Sequence, residues 1–197
     1  MAAKKVDFGP LQHLIGIWKG DKGMDVAPTK PAGKPAAIKK LAKEESPYFE
    51  VLTIEPAGDV TNAEEQTLVI VRYHQSIYRK ADKEQFHDEI GYWIWNPAAK
   101  TVMQSLLIPR AVGLLAGGKV TESKGSITFK VGAGIDNKDW GIIQSPFMQK
   151  KARTVHFSHT VTVKGNTMTY NETTKLEIYG KSFNHTDGNI LTRVQMA

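Results

Sequence analysis

At 197 residues with 41% hydrophobic content, the chain is long enough to bury a substantial core in one domain. It has no cysteine, which excludes disulfides, thiolate metal sites and cysteine nucleophiles and leaves histidine, carboxylate or water to hold any metal. The formal charge of +6 is uneven: Lys30 to Lys43 holds five lysines among proline, glycine and alanine, with no acid and no aromatic ring. Such a segment reads as a solvated insert rather than a nucleic-acid platform, which needs rings for bases to stack on.

The N-terminus, MAAKKVDFGP, lacks the apolar core of a signal peptide, and no apolar run approaches the roughly 18 residues that span a bilayer. The expectation is a cytoplasmic protein with no membrane-inserted segment. Residues 1–10 read as a tail and residues 11–197 as one domain.

Strand signals begin with Leu11 to Gly20, which ends in GIWKG. In the insert, Pro35 to Ala42 suits two helical turns, with proline tolerated at the start, so a short helix or loop is expected near residues 30–45. Tyr48 to Glu55 alternates, Pro56-Ala57-Gly58-Asp59 reads as a turn, and Gln66 to Tyr78 is rich in valine, isoleucine and tyrosine. Phe86 to Trp95, Thr101 to Ile108, Val112 to Leu115 and Ser126 to Val131 follow at short spacing. Gly132 to Gln149 is less regular and reads as a lid or packed surface loop. Ala152 to Val163 and Thr167 to Tyr179 flank Lys164-Gly165-Asn166 and should form a hairpin.

The chain closes with Leu176 to Val194, read as a strand, a polar break holding His185, and a final strand. About ten strands with hairpin-length connections predict an all-β fold: one antiparallel β-barrel of the calycin or fatty-acid-binding-protein type. Closure requires the last strand to pair with an early one such as Leu14 to Gly20.

Period-two alternation puts Val155, Phe157, His159, Val161 and Val163 on the inner face, with Thr154 and His156 outside. Phe86 to Trp95 carries aromatic mass on both faces, so alternation leaves its inner side open. His156 and His159 point to opposite faces and make a poor metal pair. There is no phosphate loop, GxSxG elbow or HExxH. The sequence-adjacent acids Asp88-Glu89 and Glu64-Glu65 diverge on strands, so a hydrolase is not supported.

Three stretches, GIWKG after Leu14, FHDEIGYW from Phe86 and NHTDGNILTRV near the end, resemble in order and spacing the nitrobindin-like haem-binding β-barrels, related in fold to the fatty-acid-binding proteins. The resemblance implies a b-type haem on one axial histidine, His185, with His87 as a pocket histidine; His159, Trp93 and Met103 are further candidates for the cofactor's surroundings. It also implies nitric-oxide binding and haem-dependent isomerisation of peroxynitrite to nitrate. The imidazole would need a hydrogen-bond acceptor behind it, and Asp187, Asn184 or a carbonyl is in reach along the chain. The pattern departs at Asp21 to Pro28, which lacks a tyrosine before the proline.

Two other readings stand beside this one. The barrel is a carrier of a fatty-acid-like apolar molecule, with Arg72, Arg110 or Arg193 meeting its carboxylate, or it is filled by its own side chains and serves as an interaction domain.

Overall fold

A computed structural model describes residues 6–30 and 41–196. A 3-10 turn at Gly9–His13 precedes strands β1 (Gly16–Thr29), β2 (Ala42–Asn62), β3 (Gln66–Arg79), β4 (Gln85–Asn96), β5 (Thr101–Ile108), β6 (Val112–Ser123) and β7 (Ser126–Gly134). A three-residue strand β8 (Ile142–Gln144) and helix α1 (Pro146–Lys151) lead into β9 (Ala152–Lys164), β10 (Thr167–Ile178) and β11 (Lys181–Gln195).

Every pairing is antiparallel, and consecutive strands pair except around β8, which pairs with β6 while β7 pairs with β9. β5 pairs with β6 and β1 with β11, so ten strands close into a barrel while β8 extends β6. Closure leaves these strands no unpaired edge along which other chains could add. The expected seam appears as Trp18 opposite Arg193 and Lys19 opposite Thr192.

Several boundaries differ from expectation for identifiable reasons. Leu11 to His13 belongs to the 3-10 turn, initiated with Pro10 in its first turn, and β1 continues through Asp21–Thr29 because it pairs with β2 there. Pro56 to Asp59 is a bulge within β2, where the register against β3 shifts between Pro56 and Gly58. The helix expected over Pro35 to Ala42 falls largely outside the described residues, and Ala42 itself starts β2. The break near the C-terminus falls at Tyr179 and Gly180, both at positive φ, so His185 lies on β11 and not in a turn. A register shift against β10 turns Thr154 inward and Val155 away, reversing the expected alternation at that end of β9.

The barrel has a closed end and an open one. Leu11, Leu14, Ile15, Trp18, Ile54, Val71 and Leu191, each at most 2% exposed, fill the closed end under the 3-10 turn. The Trp18 indole N–H donates to the Leu14 carbonyl at 2.8 Å, which satisfies the ring's polar atom where water is excluded. Arg193 lies over that indole at 4.4 Å and donates to the His13 carbonyl at 2.7 Å.

Candidate functional site

Above the packed end, inward positions turn polar. Glu50, 1% exposed, accepts hydrogen bonds from the Tyr170 hydroxyl at 2.6 Å, Asn189 Nδ2 at 3.2 Å and Gln75 Nε2 at 3.3 Å. Tyr48 donates to Tyr170 at 2.7 Å. A second chain runs from His159 Nδ1 to Gln104 Oε1 at 2.9 Å, from Gln104 Nε2 to the Tyr73 hydroxyl at 3.0 Å, and from that hydroxyl to Glu89 Oε1 at 2.6 Å. Buried polar groups persist only when satisfied in this way. Among the described residues two buried side-chain atoms have no partner, Arg193 Nε at the closed end and His159 Nε2 in this belt, and burial lowers the His159 pKa to about 4, so the ring stays neutral.

This belt floors a cavity of about 390 Å³, within the range of roughly 300–1,000 Å³ usual for small-molecule sites. Its upper wall is apolar, with Ile77, Phe86, Leu106, Ile108, Leu176 and Ile178, and Arg79 and Arg110 join them. Met148 of α1 also reaches it, so part of the irregular Gly132–Gln149 stretch borders the site. A larger concavity of about 820 Å³ lies on the outer faces of β2 to β6 and β8. The interior cavity is the stronger candidate because the inward-facing titratable groups converge there.

His185 lines the cavity from β11, and its Nε2 donates to Asp25 Oδ1 of β1 at 2.6 Å. Asp25 is therefore the ring's partner, rather than Asp187, Asn184 or a carbonyl. Burial disfavours the imidazolium, but the hydrogen bond and charge of Asp25 outweigh it, and the His185 pKa is raised. Asp25 faces Asp187 directly across the β1–β11 pair, and Asp187 faces Glu172 directly across the β11–β10 pair. Three carboxylates thus stand abreast on the inner wall. Burial pushes the Asp187 carboxyl up to about 7, with His185 and His87 opposing the rise and Asp25 and Glu50 adding to it. Glu172 is raised by burial and then by the charges of Asp187 and Glu89. One ligating atom each from Asp25, His185 and Asp187 lie within 4.8 Å of one another.

The other candidates separate by depth. His87 lines the cavity from β4, with Nε2 3.6 Å from Glu89 Oε2, and β4 lies four strands round the barrel from β11. Burial opposes protonation of His87, but Glu89 outweighs it and raises its pKa. This also resolves the inner face of β4 as the His87, Glu89 and Trp93 side. His159 and Trp93 sit in the floor, 5.8 Å apart between ring centres. Met103 lies on β5 between the buried Val102 and Gln104, so alternation turns it outward, away from the cavity. Of the three arginines expected to meet an acid, only Arg110 reaches the cavity: Arg72 pairs with Glu55 on the outer face at 3.0 Å and Arg193 covers Trp18.

Alternation counted from Trp18 would turn Asp25 outward. The register against β2 slips by one residue between Gly20 and Gly23, and this bulge brings it inside. Gly23 is required there because a Cβ would overlap the Tyr48 ring. The paired glycines in GDKGMD were the available signal for such a bulge.

Haem is compatible with this donor set: a histidine on the cavity wall, apolar side chains above it and two arginines to meet propionates. Among the described residues no helix is long and apolar enough to cross a membrane. The solved structure of Rv2717c from M. tuberculosis superimposes with a TM-score of 0.64 at 17% identity, over 95% of this chain and 99% of that one, a likeness of fold. No curated protein sequence matches the chain. A family profile described as a THAP4-like, heme-binding beta-barrel domain matches residues 7–193, nearly the whole chain, and the protein therefore belongs to that family.

Proposed function

We propose that this barrel binds haem through His185 as its single axial protein ligand. The observation that carries the reading is the position of His185, inward on β11 and bordering a cavity whose upper wall is apolar. With no cysteine in the chain, thioether attachment is excluded and the group is held non-covalently, as haem b is. Ile77, Leu106, Ile108, Leu176 and Ile178 supply an apolar wall, and Arg110, with Arg79 that already pairs with Asp82, supplies cations for anionic substituents.

With His185 Nε2 held by Asp25 Oδ1 at 2.6 Å, Asp25 is the acceptor behind the ring and Nδ1 is the nitrogen left to bond iron. His87 stands on a distant wall strand and is the second inward histidine bordering the cavity. Haem held there would supply an iron able to bind small ligands, nitric oxide and peroxynitrite among them. The isomerisation of peroxynitrite to nitrate is the activity to assay once binding is established.

The arginines beside apolar side chains also favour a second reading, a carrier of an apolar carboxylic acid. A haemin titration of the apoprotein, followed in the Soret region, separates the two. A stoichiometric shifted band that His185→Ala abolishes supports axial ligation. A free-haemin spectrum throughout, with displacement of a fluorescent fatty acid by unlabelled fatty acid, supports the carrier.

A further inference from the structure

We propose that Asp25, His185 and Asp187 form a site for a bare divalent first-row metal ion, one that competes with haem for His185. The ligand atoms already lie within 4.8 Å of one another, and the set needs little rearrangement because the strands fix it. Asp25 and Asp187 are direct partners across β1 and β11, and His185 precedes Asp187 by two residues on the same inward face.

The electrostatic situation points to a cation independently of that spacing. Like charges directly opposed on paired strands destabilise a sheet, yet Asp25, Asp187 and Glu172 stand abreast on three adjacent strands inside the barrel. The Asp187 carboxylate lines the cavity and accepts no hydrogen bond among the described residues. Asp25 and Glu172 have only histidines as ionic partners, at 2.6 Å and 3.9 Å. No described lysine or arginine pairs with any of the three.

One imidazole and two carboxylates are borderline-to-hard donors, suited to Mn²⁺, Fe²⁺, Co²⁺ or Zn²⁺ rather than to the soft ions that thiolates hold. Three protein ligands leave further positions facing the cavity, the pattern of sites that bind an exogenous molecule. The cavity gives the ion an entry path, and Glu172 beside Asp187 adds a further carboxyl group within the same wall. Because a bare ion and haem would both take the imidazole of His185, occupancy by one blocks the other; only this competition rests on the haem reading.

The test is a titration of the metal-free, full-length protein with Co²⁺, followed by its visible ligand-field bands. The expected result is one ion per chain, with affinity reduced about tenfold or more in each of Asp25→Asn and Asp187→Asn, both near-isosteric. Circular dichroism and the urea midpoint establish that each variant is folded. Wild-type protein that binds no Co²⁺, or binding that both folded variants retain, overturns the site. If neither variant folds, His185→Ala decides in their place: loss of the Co²⁺ bands in that variant, folded by the same two measures, supports the site, and their retention overturns it. Haemin uptake without Co²⁺ binding removes the metal site and keeps the haem reading. Co²⁺ bound by wild type and lost in the variants, without haemin uptake, keeps the site and removes the haem reading.

Discussion

Replacing His159 with phenylalanine tests whether burial in the polar floor holds this histidine neutral. The ring lies 5.8 Å from Trp93, 6.1 Å from Phe157 and 5.6 Å from Tyr170 between centres, and phenylalanine keeps those contacts while removing the titration. Burial lowers the histidine to about 4 from an ordinary 6.5. A depressed histidine contributes stability that is complete above the unfolded value and is lost as pH falls towards the folded one. At about 1.4 kcal/mol per pH unit, the difference of 2.5 is worth about 3 kcal/mol between pH 7 and pH 4. Glu50, Glu172 and Asp187, all raised by burial, change stability in the opposite sense over parts of this range, so the raw profile mixes them. The difference between wild type and His159→Phe isolates the histidine. Urea unfolding at intervals of pH should show the variant weaker at pH 7 by about 1–3 kcal/mol, since Gln104 Oε1 loses its donor. That deficit should shrink by about 3 kcal/mol at pH 4. Parallel profiles would refute the burial argument.

Three further outcomes follow from the same geometry. Tyr170→Phe removes the 2.6 Å donor to buried Glu50 and should cost about 2 kcal/mol in urea unfolding; no loss would mean water replaces the hydroxyl. Gly118→Ala drives a Cβ into the Lys130 backbone carbonyl across the β6–β7 pair and should cost about 2–3 kcal/mol or prevent folding, whereas Gly125→Ala meets open space and suffers only from its positive φ, about 1 kcal/mol. Arg79→Ala with Arg110→Ala should weaken haemin binding about tenfold while leaving the Soret position unchanged, because in the proposed complex these cavity-lining side chains would meet the periphery and not the iron; a shifted band would contradict that placement.

Much of the barrel was legible because period-two alternation and hairpin spacing are local signals. The hairpin around Gly165, the inward face of His159 and the pairing of the last strand with GIWKG all follow from them. Bulges were not legible, since one extra residue reverses every later side chain and leaves composition unchanged. Asp25, the residue that holds His185, is inside only through the slip between Gly20 and Gly23, and Thr154 only through the one beside Val155. The carboxylate row was hidden for another reason: Asp25 lies far along the chain from Glu172 and Asp187, and the three meet only through strand register. Met103 shows the reverse case, a plausible lining residue that its neighbours Val102 and Gln104 turn away from the cavity.

The central claim is that a ring nitrogen of His185 is the protein's bond to iron. Resonance Raman spectroscopy of the ferrous haem-loaded protein measures that bond as the iron–imidazole stretching mode. The account predicts the mode in wild type, its loss in His185→Ala and its return when exogenous imidazole is added to that variant. A mode that persists unchanged in His185→Ala without added imidazole would contradict the account and assign the iron to another histidine, with His87 the first to examine.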